Sequence, residues 1–239
     1  MMNFVQKLKN GESVTVAFLG DSVTEGCFEL YRTESGDVKS VLDKENAYAT
    51  RFVKILNYLF PNVPVKSVNA GIAGDHSRNG AKRVAQDVIP HKPDLTVVCY
   101  GLNDCGDKVI YAERYVNALE SIFDQLRACG SEVVFMTPNM MNTEVSADLV
   151  TMRLGEEQVK YAEGTMRRQN EGLFDAHLEA AKALCARKDV PVCDCYALWK
   201  RLAAVGADTT ALLCNRINHP DREMHAMFAY ELVKTVFAV

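Results

Sequence analysis

Short stretches dominated by apolar residues recur along the chain at residues 14–19, 63–68, 95–100, 132–137 and 191–196, and the first four end at Gly20, Asn69, Gly101 and Pro138. Apolar character sustained over so short a length suits strands buried on both faces. Between these stretches the spacing becomes helical. Residues 3–10 read as an amphipathic lead-in, and residues 47–60 carry Ala47, Phe52, Ile55, Leu56, Leu59 and Phe60 before Pro61 stops the helix. Further helices are predicted over 77–89, 112–129, 166–188, 197–205 and 224–237. Two segments fit neither rhythm. Residues 31–45, rich in Ser, Gly, Asp, Glu and Lys, are expected to form an exposed loop over or beside the end of the first strand. Residues 139–160, of mixed polarity with repeated methionine, are expected to be a loop with partial helix bordering the same region.

Strands that alternate with helices in this way predict an α/β fold with a parallel sheet and helices on both faces. Ligands in such folds bind beyond the carboxyl ends of the strands. Ser22, Gly74 and Asn103 follow the first, second and third predicted strands and so converge on one sheet edge. No repeat, low-complexity tract or long linker divides the chain, and residues 1–239 are read as a single domain.

Composition adds mainly exclusions. With 48% hydrophobic residues the chain has ample material for a core. A formal charge of −4, a pI near 5.8 and no block of Lys and Arg give no footprint for nucleic acid or an anionic membrane surface. No apolar segment approaches the roughly 20 residues that span a bilayer, and residues 1–7 lack the apolar core of a secretion signal, so a cytoplasmic location is expected. The eight cysteines include several inside apolar runs and are expected to be reduced. Cys193 and Cys195 have no second pair at zinc-site spacing, and no metal or cofactor is expected.

The chemistry begins at Gly20-Asp21-Ser22. A serine hydroxyl becomes a useful nucleophile only when a base takes its proton, and acyl transfer also needs donors aimed at the developing oxyanion. Gly74 offers an unobstructed backbone N–H near a helix start, Asn103 a side-chain amide, and Ser22 its own N–H. Five histidines compete for the role of base. His91 and His177 read as structural or solvated, His225 as a capping or packing residue within the last helix, and His76 as either a helix cap or a substrate-rim residue. His219, kept out of the closing helix by Pro220, is chosen.

Gly20-Asp21-Ser22, the 69–75 loop Asn-Ala-Gly-Ile-Ala-Gly-Asp, Gly101-Leu102-Asn103-Asp104 and His219-Pro220 resemble the four ordered blocks of the SGNH, or GDSL-type, hydrolases. The resemblance extends from residue 16 to about residue 229. It implies a flavodoxin-like three-layer α/β/α fold with a five-stranded parallel sheet, Ser22 as nucleophile, His219 as base, and Ser22 N–H, Gly74 N–H and Asn103 as oxyanion hole. Asp21 and Asp104 match positions that support the loops by hydrogen bonds, and turn and cap chemistry suits both, as it does Asp75.

One position departs from the pattern. Family members usually carry aspartate three residues before the histidine, where this chain has Arg216, which cannot accept a hydrogen bond. The orienter of His219 is then a backbone carbonyl in the 215–217 turn, the Asn215 side chain or a remote carboxylate, and a Ser-His dyad is expected. Arg216 is a candidate for contact with substrate or with a neighbouring carboxylate. The polar 31–45 segment favours a compact polar leaving group, so the expected substrate is a small O-acetyl ester on a short, imported saccharide. A lysophospholipase or acyl-thioesterase of the same family is the alternative. A glycan-binding module that has lost catalysis is the competing class, and the oligomeric state is left open.

Overall fold

Successive strand residues face opposite sides of a sheet, and here both sides are buried. From β1 (Val14–Gly20), Val14, Val16 and Phe18 enter one core while Ala17 and Leu19 enter another. The same alternation divides β5 (Leu95–Cys99) and β6 (Glu132–Met136). Between these strands lie the antiparallel β2 (Cys27–Arg32) and β3 (Val38–Leu42) and the parallel β4 (Val65–Gly71), and β7 (Val192–Cys193) follows β6. The computed structural model describes residues 3–106, 108–151 and 154–238; Met1 and Met2, part of the amino-terminal segment weighed above, lie outside the described residues.

The main sheet has the order β4-β1-β5-β6-β7 with every pairing parallel. Counted within that sheet, the order is 2-1-3-4-5, the flavodoxin-like arrangement. One face is covered by α1 (Asn3–Lys9), α3 (Tyr48–Leu59), α9 (Cys195–Ala204) and α10 (Arg222–Val236), with Phe52, Trp199 and Phe228 fully buried. The other is covered by α4 (Ser77–Asp87), α5 (Val109–Ala128) and α8 (Leu173–Lys188), through Val84, Leu119, Phe123 and Leu184. The protein is therefore a three-layer α/β/α sandwich. The chain moves from β1 to β4 on one side and then to β5 on the other, which opens a crevice at the carboxyl end of β1.

Three expectations are corrected. Residues 31–45 are not a plain loop: β2 and β3 form an antiparallel hairpin, closed where Thr33 N–H donates to the Asp37 carbonyl at 2.8 Å and Gly36 takes a φ of +91°. Its outward charged residues hide the two-residue alternation in the sequence. The helix predicted over 166–188 is two helices, α7 (Glu156–Asn170) and α8, broken where Gly172 adopts a φ of +74°. The strand predicted over 191–196 ends at Cys193, because Asp194 accepts from Ala197 N–H at 3.0 Å and starts α9.

The 139–160 segment is a loop followed by α6 (Ala147–Thr151) and the start of α7, with residues 152 and 153 outside the described residues. The loop is anchored at its start. Asn142 N–H donates to the Ile217 carbonyl at 2.9 Å and Asn139 Nδ2 to the Asn218 carbonyl at 2.8 Å, both in the segment that leads to His219.

Candidate active site

β1 ends in a turn that admits nothing larger than glycine. A Cβ on Gly20 would lie 2.1 Å from Thr24 Oγ1 and 2.5 Å from the Cys99 carbonyl. Asp21 then caps the one-turn helix α2 (Ser22–Glu25), its Oδ1 accepting from Val23 N–H at 3.0 Å. Burial pushes the Asp21 carboxyl up to about 7, and its Oδ2 has no partner among the described residues. Ser22 thus stands at the first helical position, with its N–H not used by any acceptor among the described residues.

Gly74 is positioned from below by Glu25, whose Oε2 accepts from Ala73 N–H at 2.6 Å, and by Ile72 N–H, which donates to the Gly20 carbonyl at 3.2 Å. Its φ of +74°, with no atom within 4 Å of an added Cβ, makes glycine a backbone requirement here. Asn103 Nδ2 donates to the Asp75 carbonyl at 2.8 Å, which leaves the second amide hydrogen for a ligand. Asp104 accepts from Ser77 N–H at 3.0 Å and Ser77 Oγ at 2.5 Å, so it caps α4; burial raises its carboxyl to about 6.

A residue that sequence reasoning missed ties these loops together. Arg83, only 13% exposed, pairs with Asp75 at 2.7 Å and donates to the Gly20 carbonyl at 3.0 Å and the Tyr100 hydroxyl at 2.8 Å. One guanidinium so joins the ends of β1 and β5 to the loop after β4. Its only visible sign in the sequence is an arginine six residues into a predicted helix.

His219 is built into a different kind of structure. Residues 213–220 fold back on themselves, with Leu213 bridged to Pro220 and Cys214 N–H donating to the His219 carbonyl at 2.9 Å. Asn215 Oδ1 gathers the N–H groups of Ile217, Asn218 and His219 at 3.0, 2.9 and 2.8 Å. That side chain shapes the loop, and it does not contact the imidazole Nδ1 as expected. Arg216, at a left-handed φ of +57°, turns away to pair with Asp148 at 2.9 Å, which selects the carboxylate contact over a substrate contact.

His219 Nε2 lies 3.0 Å from Ser22 Oγ, and Nδ1 lies 2.8 Å from the Phe28 carbonyl oxygen. A carbonyl only accepts, so Nδ1 carries the proton and the Nε2 lone pair faces the serine hydroxyl. Burial lowers the His219 pKa, and the Phe28 carbonyl opposes that shift. Of the orienters considered, none is correct: the group is a backbone carbonyl, but from β2, far from the 215–217 turn. Arg222 secures it, stacking its guanidinium 4.4 Å over the Phe28 ring while pairing with Asp43 and with Glu29.

The remaining histidines divide clearly. His225 is buried between Phe28 and Tyr48, accepts Tyr48 N–H on Nδ1 at 3.0 Å, and so caps α3; burial drives its pKa down to about 3. His76 caps α4, accepting from Asn79 N–H at 3.3 Å. His177 is buried beside Leu173 and Cys105, which selects the structural reading over the solvated one.

Ser22, Gly74, Asn103 and His219 line one cavity of about 160 Å³, with Leu30 and Ser40 of the hairpin and Tyr161 of α7 along its rim. The chemistry this geometry permits is nucleophilic attack at a carbonyl, with candidate oxyanion donors lining the same cavity as the imidazole.

The family model described as GDSL-like lipase/acylhydrolase matches residues 18–227, and the chain belongs to that family. Among curated proteins, an acetylxylan esterase of Geobacillus stearothermophilus is 26% identical over 140 residues, which is 55% of this chain and 62% of that enzyme's length. A solved acetylxylan esterase from the same organism superposes with a TM-score of 0.67 at 20% identity, covering 95% of each chain. Catalytic mutants of that enzyme that have been solved replace a serine and an aspartate. A two-domain esterase active on acetylated mannans gives a TM-score of 0.67 at 17% identity, covering 97% of this chain and 50% of its own.

Proposed function

We propose that the protein is a serine esterase that removes O-acetyl groups from carbohydrate through Ser22 and His219. The observation that carries this reading is the imidazole held between Ser22 Oγ at 3.0 Å and the Phe28 carbonyl at 2.8 Å. His219 Nε2 takes the proton as Ser22 Oγ attacks the acetyl carbon. Ser22 N–H, Gly74 N–H and the free amide hydrogen of Asn103 receive the negative oxygen. As the intermediate collapses and the ester C–O bond breaks, the protonated imidazole gives its proton to the departing sugar oxygen, which leaves as a hydroxyl. Water, deprotonated by the same nitrogen, releases acetate from the acyl-enzyme.

Two further features support a short acyl group on a polar carrier. The cavity is smaller than the roughly 300–1,000 Å³ of pockets that enclose larger ligands. Its lining combines the amide and hydroxyl side chains of Ser40, Asn103, Gln158, Tyr161, Asn215 and Asn218 with the short apolar contacts Leu30, Ala73 and Ile217. The acetylated-xylan and acetylated-mannan activities of similar proteins point the same way. The test is acetate release from acetylated xylooligosaccharides and from a chain-length series of p-nitrophenyl esters. Wild type should favour acetate over octanoate, and Ser22→Ala should lose about 10³-fold or more in kcat. Equal rates for the two proteins would overturn the role of Ser22, and no release above the uncatalysed rate by wild type would leave a binding module in place of an enzyme.

A further inference from the structure

Beside the Ser22 cavity, with Asn103 as their common wall, lies a second one of about 280 Å³. Among the described residues its lining is cationic: Arg78 from α4, Lys108 and Arg114 from α5 and the residue before it, and Arg168 from α7. On a chain of net charge −4 this is a local reversal of sign. Among the described lining residues the sole carboxylate is Asp104, which already accepts from Ser77. Arg78, Lys108 and Arg114 take part in no ion pair among the described residues.

A second, independent feature favours an anion here. Among the described residues α5 begins beside this cavity with no side-chain cap and no acidic residue in its first turn; Tyr111 N–H donates to the Lys108 carbonyl at 2.9 Å, and the positive end of the helix dipole favours an anion. Tyr111, partly exposed on the same wall, supplies a flat face of the kind on which a sugar ring packs. Cations alone suit any anion; cations with an aromatic face, one amide away from the candidate nucleophile, suit a carboxylate carried on a sugar.

We propose that this cavity is a subsite for a uronic acid residue, so that the preferred substrate is an acetylated acidic oligosaccharide whose carboxylate lies next to the acetylated sugar. The proposal rests on the esterase reading of Ser22. Binding of the ligand places its carboxylate among Arg78, Lys108 and Arg114, its ring against Tyr111, and the neighbouring acetyl group across Asn103 at Ser22. These interactions act on substrate and transition state alike, so they lower KM and leave kcat unchanged.

The experiment compares acetylated xylooligosaccharides with and without a glucuronic acid branch, using p-nitrophenyl acetate as a probe that lacks both sugar and carboxylate. Wild type should prefer the acidic member by about tenfold in kcat/KM at low salt, and the preference should shrink in ~0.5 M NaCl. Lys108→Ala combined with Arg114→Ala should abolish the preference through KM while p-nitrophenyl acetate is hydrolysed at the wild-type rate. Equal kcat/KM for the matched pair in wild type overturns the subsite. If wild type fails to hydrolyse p-nitrophenyl acetate, the esterase reading is what fails. Calorimetry of the deacetylated pair with Ser22→Ala then decides the subsite alone: tighter binding of the acidic member supports it, and equal binding overturns it. Inorganic phosphate is titrated in parallel, and phosphate binding without discrimination between the two sugars identifies a general anion site and also overturns the proposal.

Discussion

The two sides of the candidate site are built by different means. On the serine side, three strand ends deliver Ser22, Gly74 and Asn103, and a largely buried arginine, Arg83, joins their loops. On the histidine side, His219 hangs from an irregular loop and leans on a hairpin carbonyl, secured by the half-exposed ion pairs of Arg222. The serine side is therefore part of the sheet's own stability. The histidine side is held by contacts between segments distant in sequence, and it should yield first under perturbation.

Changing Arg83 should produce the largest effect. Arg83→Met leaves Asp75 as an uncompensated buried carboxylate and removes a donor from the Gly20 carbonyl, for an expected loss of about 3–5 kcal/mol in stability. A denaturant melt with an unchanged midpoint would dissolve the contrast between the two sides. Asn215→Ala deprives three N–H groups of their acceptor, and about 2 kcal/mol of stability should go with a clear fall in kcat, read from melts and from initial rates. If both stay at wild-type values, Asn215 does not shape the loop.

Arg222→Ala isolates the orienting carbonyl. Exposed ion pairs contribute about 1 kcal/mol or less, so the midpoint should hardly move, while kcat falls about five- to tenfold because Phe28 and its carbonyl lose their brace. A drop in stability without any change in kcat would assign Arg222 to the scaffold alone. The smallest effect is in the pH profile. In the proposed role of base His219 must be neutral, and burial lowers its pKa, so activity should persist below the ordinary histidine range. The acid limb of kcat/KM should fall below pH ~6.5, and a limb at or above that value contradicts the carbonyl-paired, buried imidazole.

Much of the fold was legible because its elements are local. The main strands are short apolar stretches bounded by Gly20, Gly101 and Pro138, and their alternation with amphipathic helices is enough to specify a parallel sheet with two covered faces. The misreadings also have local causes. Gly172 sits between two helical patterns that run in phase, and the 31–45 hairpin shows charge on its outer face where alternation would otherwise show. Asp194 was read inside a strand although its side chain could cap the helix that follows.

The order of Gly20-Asp21-Ser22, Gly74, Asn103 and His219 along the chain was enough to mark the family and to place the first three at one sheet edge, because a residue just after a parallel strand has nowhere else to go. What holds His219 was beyond the sequence. The Phe28 carbonyl carries no residue-type signal, since every residue has one, and it reaches Nδ1 only when β2 folds beside the 213–220 loop, 191 positions away. Arg83 and Arg222 were equally silent, because an arginine's partners are chosen by where the fold brings carboxylates and carbonyls. Side-chain chemistry can be read along the chain; contacts made through the backbone, or across it, exist only once the chain has packed.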